Sequence, residues 1–237
     1  MSTGTTTAAA VPSGAAAAVV PSRVDPGPVD PASAHPAPVQ RTVLGVDTDR
    51  ADTLDVDHLV AGLADRLPAG AVVCTHLVRD DRPHVAVSVD VPGRLGSSAR
   101  AAVAAVFGSC PLVVELLADE GVAIAGDGDV PGGARLAASE ALTGTGGRAV
   151  LYPGCDALTG ELTVGDLLAR SGVDRVVDLT GSGVDPTVLV WTRDFVRPLR
   201  SGNRLELSVQ PAADDRVVPF EDPDPTPCCA VHARKPF

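Results

Sequence analysis

The chain has 237 residues, 45% of them apolar, 21% charged and only 3% aromatic, and its 30 acidic against 19 basic side chains give a formal charge of −11. That balance argues against a nucleic-acid surface, because phosphate affinity rests on clustered Lys and Arg, whereas here the arginines are scattered and Lys235 is the only lysine. A helical membrane span is excluded too, since stretches such as Ala101–Phe107 and Pro111–Ala118 fall far short of the ~18–20 apolar residues it needs.

Residues 1–41 hold seven of the 21 prolines, ten alanines and no aromatic residue. Such a segment buries too little apolar surface to offset its conformational entropy, so it is expected to be a disordered tail. The acidity belongs to the remainder, which carries 17 basic and 28 acidic residues.

From Thr42 the pattern becomes regular. Thr42–Val46 reads as a strand, and Asp55–Leu67 as a helix with Val56, Leu59, Val60, Leu63 and Leu67 at helical spacing and Asp55 as its cap. Ala71–Val78 and His84–Val91 read as two strands joined by the turn Asp80-Asp81-Arg82-Pro83. Ser97–Phe107 is the next helix, and Pro111–Leu117 and Gly121–Ala125 then read as a strand pair, or as a helix followed by a strand. Taken in order, residues 42–126 are expected to form a ferredoxin-like βαββαβ domain of the α+β class.

Residues 127–147 read as a Gly-rich linker containing a short helix, Ala134–Leu142. A second, smaller and β-rich α+β unit is expected over 148–210. Its parts are strand Arg148–Tyr152, helix Thr163–Arg170 capped by Thr163, strand Arg175–Leu179, and extended chain at Thr187–Arg193, Phe195–Pro198 and Arg204–Val209. Residues 211–237 form a Pro-rich extension in which Pro219, Pro223, Pro225 and Pro227 exclude helix.

The five cysteines are odd in number and irregularly spaced, which does not suit a disulfide framework. The N-terminus lacks the charged and apolar regions of a secretory signal, and the near-absence of Lys suggests a GC-rich bacterial genome. Together these point to a cytoplasmic protein with reduced thiols.

Two constellations are candidates for chemistry. Cys228, Cys229 and His232 cluster in the C-terminal extension, with Cys155 as a further ligand in a Gly-Cys-Asp turn. Thiolate with imidazole suits Zn²⁺ or another transition metal, although paired Cys-x-x-Cys spacing is absent. Arg193 and Arg197, if on one strand, share a face and are candidates for holding a carboxylate or phosphate. His76 and His84 flank the hairpin turn, and whether they share a face depends on register. There is no Gly-x-Ser-x-Gly, and none of the five histidines is expected to be placed as a Ser-activating base.

The expectation is therefore a small cytoplasmic, non-enzymatic accessory or regulatory module that binds a protein or small-molecule partner, and neither nucleic acid nor membrane. The alternative is a metal- or thiol-dependent protein built on the Cys-Cys-x-x-His cluster. No catalytic residue is identified.

Overall fold

A computed structural model describes residues 40–108, 112–117, 121–125 and 130–223. Among these, twelve strands and four α-helices form, all within one compact unit.

The first half contains β1 (Arg41–Arg50), α1 (Thr53–Ala61), β2 (Val72–Val78), β3 (His84–Pro92), α2 (Ser97–Phe107), β4 (Leu112–Leu117), β5 (Gly121–Ala125) and α3 (Gly132–Thr143). The second half contains β6 (Arg148–Leu151), β7 (Glu161–Thr163), α4 (Val164–Arg170), β8 (Arg175–Val177), β9 (Leu189–Trp191), β10 (Leu199–Ser201), β11 (Arg204–Pro211) and β12 (Val217–Pro219). The strands join in the order β5-β4-β1-β3-β2-β6-β10-β11-β12-β9-β7, with β8 paired to β11 beside that path. Pairing is antiparallel except at β8–β11 and β9–β12.

The expected ferredoxin-like domain with a second smaller unit is not what forms. Strand β4 is not an edge, because β5 pairs with it from Val113↔Ala125 to Leu117↔Gly121. Nor is β2, because β6 pairs with it through Val73↔Leu151, Cys74↔Ala149 and Thr75↔Arg148. That junction continues the sheet into the second half, so one large mixed sheet replaces two units. Pairing satisfies backbone groups that an exposed edge would leave open.

Both faces of the sheet are covered. On one, Leu44, Val46, Val73, Val85, Val87 and Val89 pack with Val56 and Val60 of α1 and with Ala99 and Val103 of α2. On the other, Val43, Leu112 and Val114 pack with Ala134, Ala138 and Ala141 of α3. The α3 segment, expected as a short helix in a linker, is thus part of the core. Its alanines and Gly45 explain the close fit, since a Cβ on Gly45 would lie 2.0 Å from the Ala134 carbonyl oxygen. A separate apolar cluster, including Tyr152, Leu158, Leu167, Val190, Leu205 and Leu207, fills the second half.

Local signals set the element ends. Asp52, not Asp55, caps α1: its Oδ1 accepts the amide of Leu54 at 2.8 Å. Helix α1 then stops at Ala61, short of the expected Leu67, with Gly62 as its C-cap. Thr163 caps α4 as expected, accepting the Asp166 amide at 3.0 Å. Phe195–Pro198 forms no strand, whereas Val217–Pro219, in the region expected to be an extended tail, pairs with β11 and β9. The expected tail lies outside the described residues apart from Gln40 and Arg41, and Arg41 opens β1.

Candidate functional site

An open cleft of about 410 Å³ is lined by Thr53 and Leu54 of α1, Thr75 and Leu77 of β2, Arg148 of β6, Leu199 of β10, and Glu221 and Asp222 beyond β12. Three leucines stand exposed around it: Leu54 at 43%, Leu77 at 59% and Leu199 at 51%. Leu77 breaks the pattern of its own strand, because Val73 and Thr75 at alternate positions before it are buried. Leu199 instead follows the alternation of β10, in which Arg200 turns inward and is buried between two exposed neighbours. A second opening shares Thr75, Leu77, Arg148 and Leu199 and extends to Leu136 and Glu140 on α3.

Arg148 organises the polar wall of the cleft. Its NH1 and NH2 donate to the two oxygens of Asp57 at 2.8 and 3.0 Å. Its Nε donates to Glu221 Oε2 at 2.7 Å, and its NH2 to Oε1 at 2.5 Å. Burial opposes the cation, but hydrogen bonds and charge from Glu221 and Asp57 more than offset it and raise the Arg148 pKa. Arg197 donates from Nε to Asp57 at 3.1 Å and stacks 4.3 Å from the centroid of the Phe195 ring, with Arg148 at 5.8 Å from the same ring. Arg193 donates to Asp222 Oδ2 and to the Pro219 carbonyl, both at 2.8 Å.

Arg193 and Arg197 therefore each hold carboxylates, but in separate ion pairs. They do not share a strand: Arg193 and Asp194 both have φ near +54° and form a turn. Asp57, buried on α1, is a counter-ion shared by Arg148 and Arg197.

The sheet face beneath α3 carries a second polar network. His76 Nε2 lies 2.8 Å from Ser88 Oγ, and His76 Nδ1 lies 2.7 Å from Glu140 Oε2. The register pairs Cys74 with Ser88, which makes His76 and Ser88 diagonal neighbours on one face. Sequence spacing did not reveal this serine–histidine–carboxylate order, because it depends on cross-strand register and on α3 folding over the sheet. In this arrangement Ser88 is fully enclosed, so its hydroxyl cannot reach an external carbonyl. The network satisfies buried polar groups between helix and sheet. Burial lowers the His76 pKa, and Glu140 only partly opposes it. Burial also pushes the Cys74 thiol up to about 11, which makes it a poor nucleophile.

Further along this face, Asp90 accepts from Arg41 Nε at 2.6 Å and from Arg200 NH1 at 2.8 Å. At the start of α3, Asp47 Oδ2 accepts the Gly133 amide at 3.1 Å, with His84 Nε2 3.1 Å from Oδ1. His84 Nδ1 donates to the Arg82 carbonyl at 2.7 Å, and that bond is the leading cause of a raised His84 pKa.

Cys155 occupies a 3-10 turn, Cys155–Ala157, and is half-buried. Cys228, Cys229 and His232 lie outside the described residues. Among the described residues no group of three or more His, Cys, Asp or Glu side chains could hold a metal ion. No helix among them is long and apolar enough to cross a membrane. Searches of protein-family models, curated proteins and solved structures found no match to the chain.

Proposed function

We propose that the protein is a binding module whose cleft captures a short segment of a partner protein, one carrying an aliphatic side chain beside a carboxylate. The observation that carries this reading is the set of three exposed leucines, Leu54, Leu77 and Leu199, converging on a cleft with Arg148 in its wall. Its volume of about 410 Å³ falls within the roughly 300–1,000 Å³ common for ligand pockets. Burying one leucine side chain there contributes about 1.5–3 kcal/mol. Arg148, the one arginine lining the cleft, supports an acidic partner group that takes the place of Glu221 beside it, since guanidinium matches carboxylate in geometry and charge.

The test is binding of two fluorescein-labelled peptides to the full chain, measured by anisotropy in 0.15 M salt. One contains two leucines flanked by aspartates; in the other, lysines replace the aspartates. The acidic peptide is expected to bind more tightly, and a Leu77→Ser, Leu199→Ser double variant to lose that binding while keeping its melting temperature. Both leucines are exposed, so the substitutions should alter stability by no more than about 0.5 kcal/mol each. Equal binding of both peptides, or retention by the double variant, contradicts the reading.

A further inference from the structure

The guanidinium groups of Arg148 and Arg197 lie against the Phe195 ring, Arg193 holds the chain at Pro219–Asp222, and three carboxylates pair with these three arginines. The carboxylates differ in kind. Asp57 projects from α1 with its side chain 7% exposed and accepts from both Arg148 and Arg197. Glu221 and Asp222 are adjacent in the chain just beyond β12, with side chains 36% and 48% exposed. Phe220 is tied to the sheet by its amide, which donates to the Ser208 carbonyl at 2.9 Å. Past that bond, the arginines hold the chain through the Glu221 and Asp222 side chains and the Glu221 carbonyl.

We propose that Glu221 and Asp222 are a built-in acidic occupant of the arginine wall, one that a partner's carboxylate displaces when it enters the cleft. This deepens the peptide-binding reading and rests on it. Glu221 uses the Nε–NH2 edge of Arg148, the fork that bidentate recognition of an incoming carboxylate would employ. Asp57 holds the other edge and stays in place, which keeps Arg148 paired and oriented during the exchange. With Glu221 withdrawn, Arg148 in the cleft wall and Arg197 behind it share one buried carboxylate, Asp57, and that pair of guanidiniums carries net positive charge. An intramolecular competitor acts at a high effective concentration, so it lowers the apparent affinity for an external acid without changing the contacts made in the bound state. The strap thereby sets a threshold: a segment with leucine but no acid gains the apolar wall alone, and one with both replaces Glu221.

The experiment uses the full chain with Glu221→Gln, Asp222→Asn and the double variant, against the same labelled leucine–aspartate peptide. The double variant is expected to bind it about tenfold more tightly than the parent, with each single variant between them. The lysine peptide should bind no better to the double variant than to the parent. Unchanged or weaker binding of the acidic peptide to the double variant, with sensitivity to Leu77→Ser, Leu199→Ser retained, overturns the strap while leaving the cleft standing. Acidic-peptide binding that is indifferent to the leucine substitutions, or absent from every variant, overturns both. Thermal melting of each variant checks folding, and the two single variants keep the test decisive should the double variant unfold.

Discussion

His76 shows how much one residue's surroundings decide. Neutral, it donates from Nδ1 to Glu140 and accepts the Ser88 hydroxyl at Nε2, and both partners are satisfied. Protonated, it has no acceptor role left, and Ser88 must turn its hydroxyl elsewhere inside a closed space. Burial therefore holds its folded pKa below the ordinary 6.5. Below pH 6.5 the unfolded chain takes up this proton before the folded one, so stability falls with pH until the lowered folded value is passed. His84 works in the opposite sense. Its folded pKa is raised, chiefly by the Arg82 carbonyl, so its contribution is full below 6.5 and is lost as pH rises through the raised value. The two windows lie on opposite sides of 6.5 and can be separated. Urea denaturation from pH 5 to 8 should show a fall in stability on the acid side that His76→Gln removes and His84→Gln leaves. An acid-side slope that survives His76→Gln would refute this assignment.

At the level of elements, α3 and the strand beneath it make the clearest demand on sequence. Gly45 sits where a Cβ would lie 2.0 Å from the Ala134 carbonyl oxygen and 3.0 Å from the Ala138 Cβ. Gly45→Ala must push the helix away from the sheet, at a cost of about 1–3 kcal/mol, whereas Gly96→Ala, whose Cβ meets nothing within 4 Å, should change stability far less. Chemical denaturation of the two variants checks the contrast, and equal stabilities would mean that α3 does not pack there. Most elements were legible in the sequence, because helical spacing at Val56 and Val60, alternation in His84–Val91 and turn residues at Asp80–Pro83 are local signals. What joins them was not. The β2–β6 pairing that turns two expected units into one sheet links residues about seventy-five positions apart, and nothing local marks either strand for it. The candidate site was half legible. Arg193 and Arg197 stood out as candidates for holding a carboxylate, but the leucine cleft did not, because Leu77 and Leu199 match buried strand residues until the covering elements are known.

For the whole molecule, a sheet continuous from β5 to β7 predicts that the two halves unfold together. Leu44, fully buried beside α1 and α2, reports on the first half, while Trp191, the only tryptophan, lies on β9 in the second. Leu44→Ala should destabilise by about 2–5 kcal/mol and shift the Trp191 fluorescence transition to the same midpoint as the far-ultraviolet circular dichroism transition. Separate midpoints would mean independent units. A common fold also places α1, β2, β6 and β10 rigidly around the leucine cleft, and that placement is the basis of the binding account. The most direct test follows amide resonances of the isotope-labelled full chain as the unlabelled leucine–aspartate peptide is added. The account predicts saturable shifts centred on Leu54, Thr75, Leu77, Arg148 and Leu199, with further shifts at Glu221 and Asp222 as the strap is displaced. Shifts centred instead on other exposed apolar residues, Leu179, Leu189 or Trp191, or the absence of any saturable shift, would contradict it.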